Sequence, residues 1–550
     1  MRATGERTIP LTLGGVLLLG ALLRLNEYLA NRPLWIDELM LALNIGRHSF
    51  SGLLQRLDYE QAAPLLFLWS VKAASLLGGM TEYALRAIPL LAGVLLPWIV
   101  FRVGETLAGA AAGLIAAALA VVSLPLVYYA AEVKPYGIDA LVAATLLLLT
   151  LRARESPGDA AAWRRLAVGG LLGLLTSLPA LFVLPGSLAA LAADRRLCAA
   201  PTGRAKLLKL TALWAGAGII LVLLVYRPGM ANPYLRRFWE GTFLLPGHRD
   251  FGDRLYNLVS AVVFPLTSLP AGLAVRWVAA LLVGGALLLA RRGGASALLL
   301  IGVPFLALAT ASVLGSYPIS GRLLLALAPA TFLLVATLLA ELLRMARAAP
   351  ALAGAVGTLL VLLLAAPRLI ANGREPVVRE EGRESARIIL RRPGPVYVLA
   401  SSLPAWAFYT TDWSRPDAVR LDRFARLARG AGPSAPNDLL PVAPADSAVA
   451  GRLLRQDGRS VLVGFRSGLL YREPLGPSSE RAPDSWAARE ADAIVPLATP
   501  YVWIYGAHWS PRELPALREA LYRRGVRVVE EAREQSAIAL RLRAGRSGPP

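Results

Sequence analysis

Long apolar stretches fill the first two thirds of this chain, and they restrict it to one kind of solvent. Runs at 9–29, 87–103, 107–126, 137–151, 165–178, 180–193, 208–226, 271–290, 296–314, 323–343 and 350–367 read as helices that cross a bilayer. That is about eleven spans by the usual requirement of roughly 20 apolar residues, the fifth and sixth being the shortest. Backbone amides have no water to bond in hydrocarbon, so such segments must be helical. The composition agrees. The chain is 56% hydrophobic and 17% charged, with a mean hydropathy of +0.52, whereas soluble domains carry about 25% charged residues. The first run follows Arg2 and Arg7, as a secretory signal would. No small-residue cleavage site follows before Asp37, so it reads as an uncleaved first transmembrane helix.

The net charge is +21 and the pI about 10.7. In a soluble protein this excess would point to nucleic acid. Here it sits in short Arg clusters between apolar spans, where it sets orientation and meets lipid headgroups, so no nucleic-acid partner is expected. The clusters Arg152/Arg154/Arg164/Arg165, Arg195/Arg196/Arg204/Lys206/Lys209, Arg291/Arg292 and Arg344/Arg347 fall on one side together with the N-terminus. By the positive-inside rule that side is the cytoplasm, and the C-terminal region lies outside. Segment 63–77 is apolar but short, and Lys72 interrupts it. Were it to cross, the later clusters would face outward, so it reads as a re-entrant or interfacial helix. Cationic side chains are mostly Arg, and Ala, Gly, Leu and Pro are abundant. This coding bias is that of a GC-rich bacterium, and the expected location is the bacterial cytoplasmic membrane.

A different composition begins near Asn372. PVYVLAS (395–401), SVLVGF (460–465), YVWIYGA (501–507), VRVVEE (526–531) and SAIALRL (536–542) read as strands. Ser510-Pro511-Arg512-Glu513 has the form of a capping box with Pro at the first helical position, and Leu514, Leu517 and Leu521 then share a face up to Gly525. The expected architecture is therefore a polytopic α-helical membrane domain, 1–370, followed by an extracytoplasmic α/β domain, 371–550. No convincing G-x-G-x-x-G loop supports nucleotide binding, and 410–460 has no assignable element. The single cysteine, Cys198, rules out an intramolecular disulfide. The histidines His48, His248 and His508 lack metal-ligand spacing.

Two charged motifs follow apolar spans on what parity makes the same, outer face: Trp35-Ile36-Asp37-Glu38 and Glu132-Val133-Lys134-Pro135-Tyr136. Carboxylates this close to lipid face a water-filled cavity or take part in chemistry. Asp37 has the chemistry of a general base, against the alternative of a solvated acid or helix cap. Glu38 is placed either to orient Asp37 or to bind an acceptor, against the alternative of a surface acid. Glu132 and Lys134 are candidates for sugar and phosphate contact, or else an interfacial ion pair.

The order of a first span, W-I-D-E, the apolar P-L-L-F-L-W segment, E-Y-A-L-R-A-I-P and Y-Y-A-A-E-V-K-P-Y-G resembles the GT-C glycosyltransferases. Its nearest likeness is to protein mannosyltransferases and bacterial lipid A aminoarabinose transferases, over roughly residues 9–370. The resemblance implies an inverting transferase that takes a sugar from a polyprenyl-phosphate carrier and passes it to an acceptor hydroxyl on a glycan, lipid or protein outside the cytoplasmic membrane. It implies a site role for Arg24 and a carrier-phosphate contact for Lys72, each competing with simple snorkelling to the interface. Tyr317 and Arg322, on the outer loop 316–322, are candidates to clamp the leaving phosphate, with a headgroup contact as the alternative. That loop and the loop 227–270, with Arg236, Arg237 and Trp239, match the family pattern only loosely. No metal is expected to be required, although some members use a divalent ion and Asp37, Glu38 and Glu132 are possible ligands. A transporter or flippase of a lipid-linked sugar is the alternative function. It is disfavoured by the paired outer-face acids and by the lack of an internal repeat. A non-catalytic membrane scaffold is the third.

Overall fold

Helices account for the apolar part of the chain, as an environment without water demands. The computed structural model describes residues 2–223, 239–244, 251–269, 275–346, 349–416, 421, 452–456, 459–463, 483–508, 512–534 and 536–544. The helices in order are α1 (Arg2–Leu29), α2 (Ile36–Arg47), α3 (Leu65–Gly78), α4 (Glu82–Ala108), α5 (Ala110–Val122), α6 (Leu124–Tyr129), α7 (Tyr136–Glu155), α8 (Ala160–Thr176), α9 (Ala180–Ala192), α10 (Arg195–Ala199), α11 (Pro201–Leu221), α12 (Phe251–Val263), α13 (Val275–Val313), α14 (Ala328–Met345) and α15 (Pro350–Arg374). Among the described residues, six helical segments are long and apolar enough to cross a membrane: Ile9–Leu29, Glu82–Ala108, Tyr136–Glu155, Val278–Val313, Gly321–Met345 and Pro350–Arg374. The chain is thus a multi-pass membrane protein.

The expected spans 271–290 and 296–314 correspond to two helical stretches, together α13, that meet at Gly294, whose φ of 65° is left-handed and free of strain only for glycine, with 271–274 outside the described residues. The pair Arg291 and Arg292 stands immediately before that junction. The expected span 107–126 is divided among the end of α4, α5 and α6. Gly109, at φ 93°, reverses the chain between α4 and α5. α5 is built largely of alanine and is buried against α1, α4, α14 and α15. Small residues permit that approach: a Cβ on Gly104 would lie 2.8 Å from the Gly113 Cα. Segment 63–77 forms α3, 14 residues long. At 1.5 Å per residue this is about 21 Å, short of a hydrocarbon core of about 30 Å.

Beyond α15 lies the small α/β unit: α16 (Gly382–Leu390), β1 (Val396–Val398), α17 (Leu403–Tyr409), β2 (Arg452–Gln456), β3 (Arg459–Val463), α18 (Pro483–Ile494), β4 (Val502–Gly506), α19 (Glu513–Arg523), β5 (Val526–Glu534) and β6 (Ala537–Ala544). The six strands form one sheet in the order β2-β3-β1-β4-β6-β5. β1 runs parallel to both β3 and β4, and the outer pairs are antiparallel. All five residues of β4 are buried, as a central strand covered on both faces requires. The five expected strands and the helix after Arg512 are present. β2 carries no clear strand signal in the sequence, because R-L-L-R-Q is short and has only two apolar residues between its arginines. Ser510 and Pro511 of the expected capping box, most of 410–460, and Arg236, Arg237 and His248 lie outside the described residues.

The two parts share a core. Leu39, Leu43, Phe67 and Leu85 from the membrane part pack in one cluster with Trp406, Phe408, Trp503 and Tyr505 from the α/β unit. α2 is the element between them and rests directly on α17.

Candidate active site

Asp37 is the second residue of α2, and its backbone is fixed by what precedes it. Trp35 has an extended backbone and stands at the N-cap, where its side chain makes no capping bond. The first amides of a helix need acceptors from elsewhere. Glu38 Oε2 accepts from the Trp35 amide at 3.5 Å, and Glu380 Oε2 accepts from the Ile36 amide at 3.0 Å. The Asp37 carboxyl remains one-quarter exposed, and Arg322 Nη1 donates to its Oδ2 at 3.1 Å. Arg322 is the second residue of the 3-10 turn Gly321–Leu327 that leads into α14. Its guanidinium lies over the rings of Trp35, Tyr136 and Trp239, 5.4–5.9 Å from their centroids. Such a cage holds a cation while leaving its N–H edge free to donate.

Glu38 is turned away from this opening. Arg86 donates to it twice, from Nε at 2.9 Å and Nη2 at 2.7 Å, and the Val133 amide donates to Oε1 at 2.8 Å. Both side chains are almost fully buried. Glu38 therefore ties α2 to α4 and to the 130–135 segment. Arg86 had not been singled out from the sequence. An arginine within an apolar span carries a signal of its own, since it needs a partner to be there.

That anchoring brings the second charged motif beside the first. Glu132 is fully buried, and neither carboxylate oxygen has a hydrogen-bond partner among the described residues. Burial, reinforced by the charge of Glu38 and opposed by Arg379, pushes its pKa up to about 7. The Lys134 ammonium donates to Gln61 Oε1 at 2.9 Å, and burial pulls its pKa below the usual lysine range. Arg379, just after α15, stacks over Trp35 at 4.1 Å and Tyr128 at 4.9 Å. Asp37, Glu132, Lys134, Arg322 and Arg379 thus surround one region: a carboxylate, a buried acid and three cations.

The other expected site residues stand elsewhere. Arg24 is fully buried and donates to the carbonyls of Gly20 at 3.0 Å, Ala120 at 2.9 Å and Val121 at 3.4 Å. The Val121 carbonyl lacks its helical partner because residue 125 is proline, so Arg24 caps the end of α5. Lys72 donates to the Ile45 carbonyl at 2.9 Å, in the last turn of α2. The Tyr317 hydroxyl donates to the Leu323 carbonyl at 3.1 Å, and its ring packs edge-on against Phe182. That contact shapes the turn that carries Arg322.

Arg322 occupies Asp37, Arg86 occupies both oxygens of Glu38, and among the described residues no three acidic, histidine or cysteine side chains stand close enough to share an ion.

Residues 62–227 match the family of dolichyl-phosphate-mannose-protein mannosyltransferases. That stretch holds Lys72, Arg86, Glu132 and Lys134 and begins after Asp37. A search of the curated proteins gave no match by sequence. Among solved structures, ArnT from Cupriavidus metallidurans in the apo state superposes with a TM-score of 0.52 at 13% identity, covering 96% of this chain and 98% of that one. The same protein bound to undecaprenyl phosphate gives 0.53 at 15% identity, with coverage of 98% and 99%. The likeness spans the α/β unit as well as the helices. The chain therefore has the fold of ArnT from Cupriavidus metallidurans, and its sequence likeness to the dolichyl-phosphate-mannose-protein mannosyltransferases rests on residues 62–227.

Proposed function

We propose that this protein is an inverting glycosyltransferase that moves a sugar from a polyprenyl-phosphate carrier to an acceptor hydroxyl on the outer face of the bacterial cytoplasmic membrane. The observation that carries the reading is the meeting of Asp37 with Arg322 at 3.1 Å, with Lys134 and the buried Glu132 alongside. A lipid-linked sugar presents an anionic phosphodiester and a neutral sugar at the membrane surface. A site for it needs a carboxylate, to take the acceptor's proton, and cations, to receive the departing phosphate.

The step follows from those parts. The acceptor oxygen attacks the anomeric carbon while Asp37 takes its proton. The bond from that carbon to the phosphate oxygen breaks, and its electron pair leaves on the polyprenyl phosphate. Arg322 and Lys134 stabilise that developing charge, which is where binding energy accelerates the reaction. One displacement gives inversion. Arg322 holds Asp37 until donor arrives, and the phosphate then competes for the guanidinium. Glu132, whose pKa burial raises to about 7, is half protonated near pH 7 and in that form donates a hydrogen bond to a sugar oxygen. Glu38 positions Asp37 through Arg86. The ArnT structure with undecaprenyl phosphate supports a carrier of this class, and the mannosyltransferase family supports a sugar donor on a polyprenyl phosphate. The Arg clusters favour the N-terminus inside and the α/β unit outside.

The test is transfer by the purified chain in membranes, with a panel of labelled polyprenyl-phosphate sugars, candidate acceptors, and EDTA as a separate arm. Product with the inverted anomeric configuration supports the reading. A panel that is bound and carried across vesicle membranes without transfer favours a transporter.

A further inference from the structure

The α/β unit holds the segment that presents Asp37, from three directions. The Tyr409 hydroxyl, at the end of α17, accepts from the Leu34 amide at 2.7 Å. Glu380 Oε2 accepts from the Ile36 amide at 3.0 Å. The Arg379 guanidinium covers the Trp35 ring at 4.1 Å. Leu34, Trp35 and Ile36 are the three residues before Asp37, and each is gripped by a residue C-terminal to the last membrane helix.

The grip is itself braced by the sheet. His508 Nδ1 meets the other oxygen of Glu380. The Tyr505 hydroxyl donates to the Gly382 carbonyl at 2.9 Å. Both residues come from β4 and the turn after it, so the central strand of the sheet fixes the 380–382 segment. Ser402 Oγ, at the start of α17, accepts from the Ala507 amide at 2.8 Å, joining α17 to the same turn. No side chain of the 33–36 segment caps the helix start. The unit thus supplies the acceptors for the Leu34 and Ile36 amides, while Glu38 of the membrane part accepts from the Trp35 amide between them.

We propose that the α/β unit is a positioning clamp for the base: Tyr409, Arg379 and the Glu380–His508 pair set where Asp37 stands against Arg322, and the sheet transmits that placement. The proposal rests on the reading of Asp37 as the base of a transferase. It gives the unit a part in the turnover step, distinct from binding the acceptor.

The clamp is tested with the full chain in membranes, measuring kcat, donor KM and melting together. Glu380→Ala leaves the Ile36 amide without its acceptor. It should lower kcat roughly tenfold to a hundredfold, the scale of an ångström-sized misplacement of a reacting group, with donor KM unchanged. Glu380→Gln keeps an oxygen for that amide and should recover most of the loss. Should Glu380→Ala fail to fold, Tyr409→Phe carries the test, since it deletes one hydroxyl at constant shape. Its kcat should fall severalfold in a chain that still folds, its melting lowered only by the unpaired Leu34 amide. Wild-type kcat in Tyr409→Phe or in folded Glu380→Ala overturns the clamp, as does a Glu380→Gln variant no better than Glu380→Ala. Asp37→Asn separates the two failures. If it transfers at the wild-type rate, the reading of Asp37 falls. If it is inactive while the clamp variants are unaffected, only the clamp falls.

Discussion

Arg322 reaches Asp37 across 285 residues of sequence and meets it at 3.1 Å, with three aromatic rings around the guanidinium. The pair is only partly exposed, and its charges act on the nearby Glu132 and Lys134. In the proposed reaction Arg322 acts on the leaving phosphate, and lysine does not reproduce its planar set of donors. Arg322→Ala should therefore lower kcat by about 10²–10³, the range for removing a preorganised donor to developing charge. Arg322→Lys should recover only part of that. Transfer assays at saturating donor check this, and a wild-type rate in Arg322→Ala would assign the arginine to lipid headgroups.

Glu132 makes stability depend on pH in a definite direction. Its folded pKa, about 7, lies above the ordinary carboxylate value. The folded protein therefore holds a proton that the unfolded chain releases earlier. The stabilisation is complete below the ordinary value and is lost as pH rises through about 7. Glu132→Gln stays neutral throughout. Its melting should match wild type near pH 5 and exceed it near pH 8, by on the order of 1–3 kcal/mol. A difference that grows toward acid pH would contradict the assignment.

The buried Glu38–Arg86 pair predicts a stability defect from one-sided loss. Arg86→Met leaves the Glu38 carboxylate buried without its main partner, which costs about 3–5 kcal/mol. Replacing both, with Glu38→Gln in the same chain, should return part of that stability, because no uncompensated charge remains. Thermal melting of the single and double variants measures the difference. Equal melting in both would mean that the pair contributes little.

Arg24 tests the distinction between a cation for substrate and a cation for the fold. Its bonds go to the end of α5. Arg24→Leu should destabilise by about 1–3 kcal/mol through orphaned carbonyls and leave donor KM unchanged. Loss of donor affinity at unchanged melting would return Arg24 to the site.

The sequence could display the parts of this site more readily than their pairing. Apolar length marked the membrane helices, and short apolar runs bounded by charge and turn residues marked five strands. Asp37, Glu132 and Lys134 stood out because charge beside lipid is costly without a task. Arg24 and Lys72 were marked by the family resemblance, yet a cation near an apolar span serves an orphaned helix carbonyl as well as a phosphate, and only packing shows which. Tyr409, Arg379, Glu380 and His508 were illegible as partners of Asp37. They sit in a separate unit, their residue types are ordinary there, and their contact with α2 exists only once the two parts share a core. The break at Gly294 was legible, since Arg291, Arg292 and a glycine pair separate the two apolar runs.

The central claim is that Asp37 takes the acceptor's proton. The most direct measurement is single-turnover transfer by Asp37→Asn, with binding of the labelled donor measured on the same preparation. The variant is nearly isosteric, so the account predicts intact donor binding with transfer reduced by about 10²–10⁴, the usual worth of a general base. Transfer at the wild-type rate with normal binding would contradict it.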